Sequence, residues 1–237
     1  MLRRHRLLDR PGARSYIAAC VALTACHGHL APLVPESLAP VAPDSIAVWT
    51  APNGPARRVA LRFKWKYRDD RQSGGGRGTL RLAPPDSMRV DWAAVLNVRT
   101  GAAVVIGDSL RWADPKGDYP SSTAQAIQLV WSALGIVRPP DSSVATFGMR
   151  DSAGAAWRYI RDRDTVAFRL SGSSRTLQGE WRRGGKVMAR SRTQLAAGGL
   201  PQGTRVDVPE RSARFEITFV AVDSTAQFPA ALWRSRR

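Results

Sequence analysis

Strict alternation of apolar and polar positions governs the chain from Arg58 onward. Val59, Leu61, Phe63, Trp65 and Tyr67 are separated by Ala60, Arg62, Lys64 and Lys66, a period of two that sends apolar groups to one face of a strand and charges to the other. A helix would wind those positions around its whole circumference. The same rhythm returns at Leu80 and Leu82, at Met88, Val90 and Trp92, and at Leu110 and Trp112. It continues at Val166, Phe168 and Leu170, and at Phe215, Ile217 and Phe219. Turn chemistry punctuates it: SGGGRG at 73–78, Pro84-Pro85, Thr100-Gly101, Gly107-Asp108 and Gly184-Gly185. Links this short join neighbouring strands as antiparallel hairpins, and eleven or twelve strands are expected.

One segment breaks the rhythm. PSSTAQAIQLVWSALGIVRPP, residues 120–140, sets Ile127, Val130, Trp131 and Leu134 at i, i+3, i+4 and i+7. Ser121 or Ser122 supplies an N-cap, Gly135 a stop, and Pro139-Pro140 lie beyond, which predicts an amphipathic helix of about four turns. Residues 44–49 read as a short helical turn.

The first residues follow other rules. Arg3, Arg4, Arg6, Arg10 and Arg14 precede the apolar run YIAACVALTAC, which is too short for a membrane span of roughly twenty residues and reads as a signal peptide. It closes on Leu23-Thr24-Ala25-Cys26, which resembles the lipobox of bacterial lipoproteins and predicts lipidation of Cys26. Prolines at 32, 35, 40 and 43 then predict an extended tether. The expected plan is a leader over 1–25, a lipidated cysteine and tether over 26–43, and one domain over 44–237. Cys20 leaves with the leader, so no disulfide forms within the mature chain.

Charge adds a partner class. Thirty-six Lys and Arg face nineteen Asp and Glu, a formal net charge of +17, and removal of the leader takes four net positive charges with it. A chain carried across a membrane rarely meets nucleic acid; the nearer anions are phospholipid and lipopolysaccharide head groups, and simple solubility is the alternative use of the charge.

Reactive chemistry is sparse. Gly107-Asp108-Ser109-Leu110 resembles the signature block of GDSL esterases, but a serine nucleophile needs a base, and the three histidines are His5, His27 and His29. Gly107-Asp108 is therefore expected to be a two-residue hairpin turn, and the protein non-enzymatic. A metal site of His and Cys has no ligands beyond position 29, and no cofactor is expected. Asp69, Asp70, Asp162, Asp164 and Glu180 stand beside arginines and are expected in surface ion pairs.

What remains is apolar surface, with eight tryptophans. A single curved sheet too wide to close would present a concave apolar face to an acyl chain. Phe63, Trp65, Leu80, Leu82, Trp92, Ile106 and Trp112 are expected to line it, with Ile127, Val130, Trp131 and Leu134 facing it from the helix as a lid. The alternatives are a lipid-anchored structural or interaction module with a filled core and, more remotely, a GDSL-type esterase at Ser109.

GRGTLRLAPPDSMRVDW (76–92), AVVIGDSLRWADP (103–115) and FPAALWR (228–234) together resemble the LolA/LolB-like family of lipoprotein carriers and receptors. The resemblance implies a mainly β fold: one antiparallel curved sheet of about eleven strands forming a half-barrel, with one or a few capping helices. It also implies a protein that binds the acyl chain of a lipid or lipoprotein, and a monomer is expected. His27, in place of an aspartate after the lipidated cysteine, implies anchoring at the outer membrane, facing the periplasm.

Overall fold

The alternation at 58–68 becomes a strand whose neighbours repeat its pattern face for face. Leu61 stands opposite Leu80, and Leu80 opposite Val90, so one apolar face runs unbroken across strand after strand. The computed structural model describes residues 30–51, 58–95, 99–115, 124–139 and 144–234. Its strands are β1 (Ala39–Pro40), β2 (Val59–Arg68), β3 (Ser73–Ala83), β4 (Ser87–Ala94), β5 (Thr100–Ile106), β6 (Ser109–Asp114), β7 (Ala145–Asp151), β8 (Gly154–Arg161), β9 (Asp164–Ser171), β10 (Thr176–Arg183), β11 (Lys186–Leu195), β12 (Pro201–Val208) and β13 (Ala213–Asp223). Helices α1 (Pro43–Thr50) and α2 (Ala124–Ala133) accompany them. No described helix is long and apolar enough to cross a membrane.

All thirteen strands form one antiparallel sheet in the order β1-β7-β8-β9-β10-β11-β12-β13-β2-β3-β4-β5-β6. It curves without closing into a barrel. The count exceeds expectation mainly because β1, two residues long, adds itself to the edge of β7 through Ala39 opposite Gly148. Helix α2 ends as predicted: Gly135 adopts a φ of 78°, which glycine tolerates without a Cβ penalty, and Ile136 N–H bonds back to Trp131 O at 3.0 Å. The expected cap at Ser121 or Ser122 falls outside the described residues.

Two expected turns are strand. The glycines of 73–78 lie within β3, and the chain reverses earlier, where Asp69 accepts the N–H of Arg71 and Gln72 at 2.8 and 2.7 Å. Gly101 lies within β5. Both were misread because glycine marks a turn and also marks a place where a large neighbour's side chain covers a strand.

The segment expected as a tether is also part of the fold from Leu33 onward. Val34 and Leu38 are buried against Ala167, Ala156 and Phe147 on the convex face. The chain then rounds the edge of β7, and α1 places Ile46 and Trp49 on the concave side, with the Trp49 ring over Gly148. Prolines kept this stretch extended, as read, but an extended chain can lie on a sheet as readily as cross solvent. The far end is treated the same way: Phe228 and Trp233 pack edge to face with centroids 6.1 Å apart. Beneath this C-terminal segment Arg89, almost wholly buried, bonds Leu232 O at 2.6 Å and Asp91 at 2.7 Å.

Glu180 corrects a further expectation. It is not a surface ion-pair partner but 1% exposed, under the N-terminal segment. Its carboxylate accepts Arg182 Nε at 2.6 Å, Arg190 Nε at 2.5 Å and the Leu33 amide at 3.2 Å, so the buried charge is satisfied on both oxygens. Glu180→Ala should remove the buried carboxylate that Arg182 and Arg190 share and lower stability by about 3 kcal/mol, read as a reduced urea midpoint with an unchanged slope.

Candidate functional site

The concave face has two regions with different cover. Its middle lies beneath α2, which approaches β10 unusually closely. A Cβ on Gly179 would stand 2.7 Å from the hydroxyls of Ser132 and Ser191 and 2.8 Å from Leu129 Cδ1, so only glycine admits the helix at that depth. Hydroxyls then hold it there. Ser132 Oγ lies 2.9 Å from Ser191 Oγ, Thr193 donates to Ser132 O at 3.1 Å, and Thr204 donates to Ala133 O. All four hydroxyl side chains are buried, and each is satisfied within an otherwise apolar interior.

One flank of α2 sets Ile127, Trp131 and Leu134 into a cluster with Phe63, Leu80 and Leu82, closed by Leu61, Met88 and Val105. The start of the following loop is fixed as well. Trp131 Nε1 donates to Gly107 O at 3.0 Å, while Arg138 lies over the Trp131 ring at 5.7 Å and reaches Asp108 at 3.4 Å. Gly107 (φ 64°) and Asp108 are the two-residue hairpin turn that the sequence suggested, with Ile106 opposite Ser109. Ser109 is exposed at the start of β6. The GDSL letters thus serve as the anchor point of the helix end. On the other flank, Tyr159 reaches Arg138 O at 3.5 Å, and burial pushes its phenol pKa up.

Beyond α2 the concave face of β2, β3, β4 and β13 carries an aromatic shelf that is only half-buried. Trp65 stacks on Phe215 with centroids 6.0 Å apart at 24°, and meets Trp92 edge-on at 6.0 Å and 88°. Phe63 meets Phe219 at 6.2 Å and 64°. Each ring sits over a cross-strand partner that has no side chain: Gly76 under Trp65, Gly78 under Phe63, and Gly101 under Trp92. The buried Trp65 Nε1–H finds no acceptor there. At the shelf's end the Tyr67 hydroxyl donates to Asp69 at 2.6 Å. That bond and the amides of Arg71 and Gln72 hold the Asp69 carboxyl at about 2, and the same bond to Asp69 raises the Tyr67 phenol.

The expected lining therefore divides. Phe63, Leu80, Leu82, Ile127, Trp131 and Leu134 come together beneath the helix, and Trp65 and Trp92 extend that surface as the shelf. Ile106 and Trp112 belong to the opposite face: Trp112 pairs with Val104 across a bulge that reverses its direction, lies under Arg89 at 5.1 Å, and donates to Trp233 O at 3.3 Å. Val130 points away from the sheet, 47% exposed. Cys26 lies outside the described residues. Phe215 and Ile217, visible as one face of a strand in the sequence, were not assigned to the site because nothing local shows that β13 pairs with β2. The hydroxyl contacts under α2 have no sequence signature. Among the described residues no group of three or more His, Cys, Asp or Glu could hold a metal.

Gly179→Val should push α2 off the sheet at a cost of about 1–3 kcal/mol. Hydrogen exchange would show it as lost protection of α2 amides with β2–β5 amides little changed.

The sequence matches no protein-family model and no curated protein. Solved structures do match. A LolA superfamily protein from Nitrosomonas europaea superposes with a TM-score of 0.53 at 12% identity, over 82% of this chain and 98% of that one. A domain described as an outer membrane lipoprotein-sorting domain, from Vibrio parahaemolyticus, superposes with a TM-score of 0.57 at 6% identity, over 81% and 95%. Identities this low carry the fold alone, and the unclosed antiparallel sheet with a helix across its concave face is the LolA-like fold.

Proposed function

We infer that the protein is a non-enzymatic carrier or receptor that holds the acyl chain of a lipid or lipoprotein between the aromatic shelf and the underside of α2. The half-buried shelf carries the reading. Trp65, Trp92 and Phe215 lie on the concave face beside the helix yet keep part of their surface open, where an ordinary core would cover them. An apolar tail laid there gains ~25 cal/mol per Å², so roughly a few hundred Å² of contact supplies several kcal/mol. Lifting α2 would add the cluster around Ile127 and Trp131 as a second wall. Besides its apolar packing, the helix is held by hydroxyl contacts and one cation–π pair, links that each contribute on the order of 1 kcal/mol. A tail that takes the place of Ile127, Trp131 and Leu134 on the sheet would keep the apolar face covered and so offset the cost of lifting the helix.

The neighbour described as a lipoprotein-sorting domain supports the same reading, and so does the run Leu23-Thr24-Ala25-Cys26, which resembles a lipobox. The protein is then a monomer of the cell envelope, fixed by a lipid on Cys26 at the outer membrane and facing the periplasm. The second reading, an interaction module with a filled core, is favoured by the close contact of α2 at Gly179.

A fluorescent long-chain fatty acid should bind the full chain, and Trp65→Ala with Phe215→Ala should weaken that binding roughly tenfold at an unchanged fold. A disulfide at Ser132→Cys and Ser191→Cys, whose hydroxyls are 2.9 Å apart, should abolish binding until reduced; full binding by the oxidised form would favour the filled-core reading. In cells, labelled palmitate should enter the wild-type chain and not Cys26→Ser.

A further inference from the structure

We propose that the convex face of the sheet is a docking surface for an anionic phospholipid bilayer, distinct from the concave site for a single acyl chain. Alternation that sends aromatics to the concave face sends Arg62, Lys64, Lys66 and Arg68 of β2 to the convex one, all exposed. The register lines up more of the same sign. Lys64 stands directly opposite Arg77, Arg68 opposite Arg214, and Arg192 opposite Arg205. Directly opposed like charges destabilise a sheet, and three such pairs share this face. Exposed Arg169 extends the field to β9. From β3 to β9 this spans about 30 Å at ~4.8 Å per strand.

Acidic groups offset little of it. Asp207 accepts Arg205 at 2.8 Å and Arg214 at 3.0 Å, and Glu216 lies opposite Lys66 and Arg205. Arg62, Lys64, Lys66, Arg77, Arg169 and Arg192 have no carboxylate within ion-pairing distance among the described residues. The two terminal segments cover the flanks of this same face, over β7–β10 and β4–β6, and bury the charges beneath them. The basic field is what they leave bare.

The pattern fits a plane of head groups better than an acidic protein. The field is broad, and its uncharged members are polar or small: Thr79, Gln178, Gln194, Thr218 and Gly203. The cavity at its edge, about 490 Å³, is rimmed by Arg68, Asp69, Asp70, Asp207 and Arg214, a charged mouth unlike the apolar pocket that takes a protein partner's anchoring side chain. Long basic side chains and a screening length of about 8 Å let a gently convex array act on a flat surface. The described chain also arrives on this face, since Val34 and Leu38 pack there. Six positions separate Cys26 from Pro32, a reach of at most about 20 Å. A lipid on Cys26 would hold a membrane near this field.

The test is co-sedimentation of the full chain carrying Cys26→Ser, so that no anchor contributes, with vesicles of phosphatidylcholine alone or with phosphatidylglycerol. Binding is expected only to the anionic vesicles and to be lost in high salt. Arg62→Gln, Lys64→Gln, Lys66→Gln and Arg192→Gln together should weaken it roughly tenfold or more. The control, Arg111→Gln, Arg150→Gln, Arg163→Gln and Arg175→Gln, removes the same charge elsewhere and should change it less than about twofold. Equal losses in the two variants, or equal binding to neutral vesicles, would overturn the proposal. So would binding of polyglutamate by the convex face without vesicle binding, which would give the face to an acidic protein. Fatty-acid binding, unchanged in both variants, separates this result from the fate of the concave site.

Discussion

An unclosed sheet has two faces and must cover both, and here a single helix is the main cover of the inner one. The contact that permits this is the approach of α2 to Gly179, with Ser132 lowered among the hydroxyls of Ser191, Thr193 and Thr204. A side chain at 179 would lift the helix by the width of a methyl group. The packing of Ile127, Trp131 and Leu134 on Leu61, Leu80 and Leu82 would then open with it. Ten described residues of helix cannot span thirteen strands, so part of the apolar face stays outside its shadow. The half-open aromatic shelf is the geometric remainder of that mismatch.

The convex face follows the same rule with different materials. Extended segments from the two ends of the domain lie across its flanks and bring buried ions under them: Glu180 between Arg182 and Arg190, and Arg89 between Asp91 and Leu232. Burying charge is costly unless every polar atom is paired, and these two knots meet that condition. Between them the sheet needs no cover, because its outward residues are basic and solvated. One face therefore offers apolar contact and the other long-range electrostatics, a division already present in the alternation of β2.

The glycines of β3 and β5 tie these themes together. In the sequence 74–78 looks like a flexible loop. In the sheet it is a track over which the Trp65 and Phe63 rings reach, made possible because β2 pairs with β3 in a register that puts Gly76 and Gly78 opposite them. The same residues that weaken strand propensity thus make room for the rings of the shelf.

The mainly β class, the antiparallel hairpins, the position of α2 and its stop at Gly135 were all legible along the chain, because periodicity and turn chemistry act between residues a few positions apart. So was most of the surface beneath the helix, since a two-residue period assigns faces without knowing the partner strand. Trp112 was misassigned because the β5–β6 bulge shifts that period by one, and Ile106 because the run 103–106 is apolar at every position and only the pairing of Met88 with Val105 decides which face each residue takes. Val130 was misassigned because four positions at helical spacing cover a wider arc than the sheet can contact. Glu180 and residues 33–41 were read as solvent-facing because burial by a distant segment leaves no local trace. What the sequence determined alone was which side chains share a face; which faces are covered, and by what, was decided only when β13 paired with β2 and brought the two halves of the chain into one sheet. That pairing depends on contacts some 150 positions apart, and no local pattern encodes them.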